Sequence, residues 1–260
     1  MNLDYNISTR EYVYLSIRVL LSSVFYIFSL FSLKSLYVTG IPEEYATLVY
    51  IYCTYAALII LFIFVQHGAL VGYIKGNAIK ASPTQLPELY EIVTDYSKKL
   101  GLKKAPCTYV LQGNGALNAF ATRFASRNFV VILADLMETA SQEGNKTVEF
   151  IVAHELGHIK RKHTSFLKSL FLFPSCFIPF LNKAYSRACE YTCDSIANSL
   201  CPEGSTTGLI TLVAGKQLHK RVNVEEYISN SEREKGFWKW YAELRSTHPN
   251  LPKRIKACLS

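Results

Sequence analysis

Hydrophobic positions divide the chain into two kinds of text. Residues 12–33 and 46–74 are long apolar runs; the second holds no acidic or basic residue and is interrupted only by His67. A helix needs about 20 apolar residues to cross a bilayer core, so each run is long enough to span. Arg18 is the flaw in the first run, and from the first turns its long stem can carry the guanidinium to the headgroups. No basic segment precedes the first run and no small-residue cleavage site follows it, which predicts a retained anchor rather than a cleaved signal. Residues 1–75 therefore read as an anchor with spans at about 12–33 and 46–68, joined by a short loop that turns at Gly40-Ile41-Pro42.

From residue 80 the periods are those of a globular domain. Helical spacing occupies residues 83–100, with Leu86, Leu89, Ile92 and Val93 on one face and Gly101 as the stop. Residues 107–111 read as a strand, and 118–124 with 128–133 as a hairpin around Ala125-Ser126-Arg127. Helices are expected over 146–162, entered through a Gly144-Asn145 turn, then over 183–200, 205–221, 224–233 and after Pro252. The class is mostly α with a small β-sheet, preceded by two transmembrane helices. Between two of these helices, residues 169–182 are uncharged but carry Pro174 and Pro179. Fully helical they would reach only about 21 Å, short of a bilayer core. A membrane-interface hairpin at 165–182 is the expectation, with Phe171, Phe173, Phe177 and Phe180 dipping into lipid; a buried loop over the active site is the alternative.

Charge changes the picture of the two parts. The chain has 260 residues and a formal net charge of +8; its first 66 residues carry 3 Lys/Arg and 4 Asp/Glu, and the remainder 25 and 16. The basic part, with Lys75 and Lys80 beside the second span, places the soluble domain on the cytoplasmic side of a multi-pass integral membrane protein. Basic residues are scattered or close to the membrane and no nucleic-acid motif is present, so the lipid bilayer is the expected partner of this charge and nucleic acid is not. Seven cysteines without a repeating spacing do not make a disulfide framework.

The chemistry sits in His154-Glu155-Leu156-Gly157-His158. On a helix, residues four apart face the same way, so both imidazoles can reach one Zn²⁺ while Glu155 lies beside them to take a proton from water. A catalytic ion needs a third protein ligand. His163 does not follow the spacing of a third histidine, and in Lys160-Arg161-Lys162-His163 it reads as part of a solvated or lipid-facing helix end. Glu190 is an acidic alternative on a later helix, with Asp194 one turn on, able to fix a ligand imidazole. A cysteine ligand, Cys189 or Cys193, is the remaining option.

Four motifs in order give a resemblance. HELGH, the run Ser186-Arg187…Glu190…Asp194, the earlier Asn118-Ala119-Phe120-Ala121-Thr122 and the late Ser246-Thr247-His248-Pro249…Arg254-Ile255 resemble HtpX-like zinc metallopeptidases, gluzincins related to the CAAX prenyl endopeptidases. The resemblance covers roughly residues 80–258 and implies a zincin-like metallopeptidase domain over 80–260. It implies one catalytic zinc on His154, His158 and Glu190, with Glu155 as general base and Asp194 behind the ligands. Asn118, with Ala119 and Phe120, would bind substrate backbone, and His248 and Arg254 would steady the oxyanion. The implied function is a membrane-anchored endopeptidase acting on membrane or misfolded proteins, at the inner membrane if the chain is bacterial. Relatives often carry two further spans between HExxH and the metal-binding glutamate; here only residues 159–189 intervene. The rival functions are a catalytically silent zinc-containing scaffold and a prenyl-protein processing protease, which normally needs a chamber of many spans.

Overall fold

The computed structural model describes residues 4–40, 42–143 and 146–259; the Gly144-Asn145 turn lies outside them. Both apolar runs are single helices, α1 (Thr9–Thr39) and α2 (Glu43–Asn77). Their most apolar windows are 11% and 0% buried, which core helices of a soluble protein would not be. Leu20, Phe28 and Phe31 on α1, like Tyr50 and Phe62 on α2, present most of their surface outward. Such a surface is costly in water and ordinary in lipid.

At 31 and 35 residues, both helices exceed expectation and, at 1.5 Å per residue, exceed the roughly 30 Å bilayer core. The start of α1 and the end of α2 are built into the globular part. After α2 comes β1 (Ile79–Lys80), then α3 (Pro87–Lys99), β2 (Cys107–Leu111), β3 (Ala119–Phe124) and β4 (Arg127–Leu133). The sheet order is β1-β2-β4-β3, with β2 parallel to β4 and the other pairs antiparallel. Because side chains alternate along a strand, β4 serves two cores. Phe129 and Val131 join Val71 and Ile74 of α2, whereas Val130 and Ile132 join the main core with Leu89, Leu136, Phe150 and Leu156. A strand covered on both faces reads as an unbroken apolar run rather than an alternation. The last turns of α2 are core, and the start of α1 is pinned to a later helix, Ser8 N–H donating to Thr192 Oγ1 at 3.1 Å.

The remaining helices are α4 (Ala134–Glu143), α5 (Lys146–Lys160), α6 (Phe166–Phe171), α7 (Leu181–Leu200), α8 (Ser205–Leu218), α9 (Val224–Arg233), α10 (Phe237–Arg245) and α11 (Leu251–Leu259). The sequence pattern did not signal α4, a short helix following β4 directly. α5 is buried almost throughout and crosses α7 closely. A Cβ on Gly157 would lie 3.3 Å from Cys193 Cα, so the absence of a side chain there sets the spacing of the two helices.

Residues 165–182 form α6, a 3₁₀ turn over Phe173–Phe177, a short turn in which Phe180 is left-handed, and the start of α7. They run beside α1 at the level of Arg18 to Tyr26: Tyr26 Oη donates to Leu170 O at 3.2 Å and its ring lies 5.7 Å from that of Phe171. Arg18 does not reach for headgroups. Its Nε donates to Ser175 Oγ at 2.8 Å, its Nη2 to Leu172 O at 3.3 Å, and its guanidinium covers the Tyr185 ring. Burying an arginine requires such partners, and Arg18 is 4% exposed.

Candidate metal centre and active site

α5 supplies His154, Glu155 and His158, all on the wall of one cleft of about 800 Å³. α7 supplies Glu190. The His154 and His158 Nε2 atoms are 3.3 Å apart, Glu190 Oε1 is 3.3 Å from His158 Nε2, and Glu190 Oε2 is 3.6 Å from His154 Nε2. Ligands about 2.0–2.1 Å from a tetrahedral zinc stand about 3.3–3.4 Å from one another. The donor triangle thus has the size of a zinc site before any ion is considered.

Its electrostatics point the same way. Burial disfavours charge on His154, yet the Asp194 and Glu190 carboxylates beside it push its imidazole up to about 10. Burial also works against ionising Glu190, but the two histidines and Arg254 hold it well below the usual carboxylate range. A buried centre that attracts a proton this strongly offers the same donors to a cation. Two further donor groups occur among the described residues, His158-His163-Cys193 and Glu11-His163-Cys189. Burial pushes the Cys189 thiol up to about 12 and the Cys193 thiol well above its ordinary value. Neither thiol belongs to the His154-His158-Glu190 group.

Asp194 stands one turn beyond Glu190 on α7. Its Oδ1 is 2.9 Å from His154 Nδ1, a close contact without the alignment of a straight hydrogen bond. Arg254 of α11 is buried, and its donors are taken up by carboxylates. Nε and Nη2 each donate to Asp194 at 2.7 Å, and Nη1 lies 3.1 Å from Glu190 Oε2. That engagement ties Arg254 to the two α7 carboxylates, at the wall of the same cleft. His248 comes from the loop ahead of α11; its side chain is 62% exposed and its Nε2 lies 3.7 Å from Glu190 Oε2.

Sequence reasoning passed over Arg187 in the same motif. Its Nη1 donates to the Glu243, Leu244 and Ser246 carbonyls at 2.9, 3.1 and 2.7 Å, and so ties the His248 loop to α7. Asn118, Ala119 and Phe120 line the same cleft, and β3 is the outermost strand of the sheet. Asn118 Oδ1 accepts the Ala119 N–H at 2.9 Å.

His163 is the other surprise. Far from a solvated helix end, its side chain is 7% exposed. Its Nδ1 is 3.1 Å from His158 Nδ1 and its Nε2 is 3.2 Å from Glu11 Oε1. Burial pushes this imidazole down to about 4 in spite of Glu11, so it is neutral at physiological pH.

A helix bearing two imidazoles, a second helix bearing a carboxylate, and an open cleft lined by a sheet edge are the layout of a metallopeptidase of the HExxH class. Residues 83–178 and 166–260 match peptidase family M48, and at that coverage the chain belongs to this family. Among solved structures, the crystal structure of S. mikatae Ste24p superposes with a TM-score of 0.50. It covers 98% of this chain and 67% of that one at 14% identity, a likeness of fold that takes in the two N-terminal helices. No curated protein sequence matches the chain significantly.

Proposed function

We propose that this chain is an integral-membrane zinc endopeptidase that crosses the bilayer twice and hydrolyses membrane or misfolded proteins on the cytoplasmic side. The observation that carries the reading is the donor triangle of His154, His158 and Glu190, with sides of 3.3–3.6 Å, beside Glu155 in an open cleft. A single zinc held by these three side chains would polarise a peptide carbonyl and bring the pKa of a bound water to about 7.

Everything else is done by the chain itself. Glu155 accepts a proton from the attacking water and passes it to the leaving amine. The free edge of β3 takes an extended peptide as an added strand, reading main chain at Asn118, Ala119 and Phe120 and leaving sequence preference broad. His248, exposed and held by its loop, can swing to donate to the negative oxygen that develops on the substrate. Asp194 and Arg254 keep the ligands in place.

Membrane proteins suit the cleft because of its neighbours. Leu172 and Cys176 of the 165–182 segment line it, while Leu167, Phe173 and Phe177 of that segment face outward. With this segment at the interface, a loop emerging from the bilayer arrives at the site without leaving the lipid surface.

The test uses the full chain in detergent. Wild type is expected to hold one zinc and to cleave casein in a chelator-sensitive manner. Glu155→Gln should keep the zinc and lose about 10²–10⁴-fold in cleavage rate. Undiminished cleavage by that variant, or a wild type that binds no zinc, would overturn the reading.

A further inference from the structure

We infer that Glu11 and His163 are positioning residues for His158, so that the first turn of a membrane helix completes the metal centre. The inference rests on the reading of His158 as a zinc ligand. Its own observation is a line of three side chains: His158 Nδ1 stands 3.1 Å from His163 Nδ1, and His163 Nε2 stands 3.2 Å from Glu11 Oε1.

Only one arrangement of hydrogens satisfies this line. A neutral imidazole that offers Nε2 to a metal carries its hydrogen on Nδ1 and needs an acceptor there. The neighbour within reach is His163 Nδ1, which must then present its lone pair. The hydrogen of His163 is therefore on Nε2, where it donates to the Glu11 carboxylate. Each ring has one tautomer, and the carboxylate end of the line orients both. Glu11 is 1% exposed, and Arg161 Nη2, 2.9 Å from the same oxygen, balances its charge.

The backbone is shaped for this contact. α5 ends with His163 N–H on the His158 carbonyl at 2.9 Å and Lys162 N–H on the Ile159 carbonyl at 3.0 Å, with Lys162 left-handed at φ 56°. That is a Schellman ending, in which the residue after the left-handed position folds back on the last turn. The position is usually glycine and the folded-back contact usually apolar. Here the two groups brought together are imidazoles, with ring centroids 5.1 Å apart.

The two histidines of HExxH are thus backed differently. His154 Nδ1 faces a carboxylate directly, Asp194 Oδ1 at 2.9 Å. His158 reaches its carboxylate through one intervening imidazole, and that carboxylate belongs to α1. Displacing α1 from the domain would remove the support of a metal ligand while leaving all three ligands present.

Zinc affinity of the full chain in detergent, measured against a chromophoric chelator, tests this together with the melting temperature of the zinc-free protein. His163→Leu should weaken zinc binding by about 10–100-fold, as loss of a partner behind a ligand histidine does; zinc-free melting reads separately what Glu11 loses with its donor. Glu11→Gln, which keeps an acceptor without the charge, should weaken it less than His163→Leu does. His163→Asn, whose amide oxygen can stand near the place of Nδ1, should recover most of the lost affinity. Equal zinc affinity in wild type and His163→Leu overturns the inference, as does a fall in zinc-free stability with affinity unchanged. Failure of His163→Asn to bind better than His163→Leu overturns it too. A wild type that binds no zinc would instead dispose of the metal centre itself, and the two failures are told apart by that one measurement.

Discussion

Arg254 grips Asp194 with two nitrogens, Nε and Nη2, each 2.7 Å from a carboxylate oxygen. Its third nitrogen reaches Glu190 at 3.1 Å. One guanidinium therefore offsets two carboxylates on adjacent turns of α7, in a place where neither could stay ionised alone. α11 is positioned by this pair, and the His248 loop ahead of it is positioned in turn.

Arg254→Met should then be severe. It leaves two buried carboxylates without their cation, a change that costs about 3–5 kcal/mol when one partner of a buried pair is removed. The loss should be greatest in the zinc-free protein, because a bound dication offsets part of the same charge. Denaturant unfolding of wild type and variant, with and without zinc, measures it; equal stability would mean that the pair is incidental.

The zinc-free protein should lose stability on the alkaline side. Folding raises His154 from 6.5 to about 10, so its contribution is full below pH 6.5 and fades as the pH climbs to about 10. Glu190 and Asp194 are held below their ordinary values of 4.5 and 3.8. Their contribution is full above those values and is lost as the pH falls beneath them. Melting temperature without zinc should therefore decline between pH 6.5 and 10. With zinc in place of the proton on His154, that decline should be absent. Parallel curves for the two forms would contradict this account.

Phe177 is 76% exposed on the segment that lies against α1. An environment-sensitive dye on Phe177→Cys, with Cys53 and Cys176 changed to Ser, should emit to the blue in bilayers and be quenched by lipid-borne quenchers. The same dye on Lys103→Cys should do neither. Identical emission at the two sites would place residues 165–182 away from lipid.

Much of the architecture was legible because it is written in short-range periods. The four-residue spacing of His154 and His158 needs only a helix to bring the imidazoles together. The runs in α1 and α2 need only length. Strands β2, β3 and β4 stood out by composition and the turn at 125–126, although their order in the sheet did not. α4 went unseen because nothing in its sequence punctuates the join with β4. Arg18 and His163 were misread for a shared reason. A polar residue at an apolar helix end looks solvated until its partners are known, and those partners lie 157 and 152 residues away, at Ser175 and Glu11.

By itself, then, the sequence determined a pair of lipid-length helices, a helix presenting two imidazoles with Glu155 beside them, and a later helix with acidic side chains one turn apart. These follow from backbone repeats, which any segment carries within itself. Only the tertiary structure decided that Glu190 closes a triangle of zinc dimensions, that Arg254 holds the carboxylates, and that Glu11 of α1 meets His163 beside His158. Such relations depend on where separate helices cross. That is set by buried shape, the missing side chain of Gly157 against Cys193, and by the need of every buried charge for a partner.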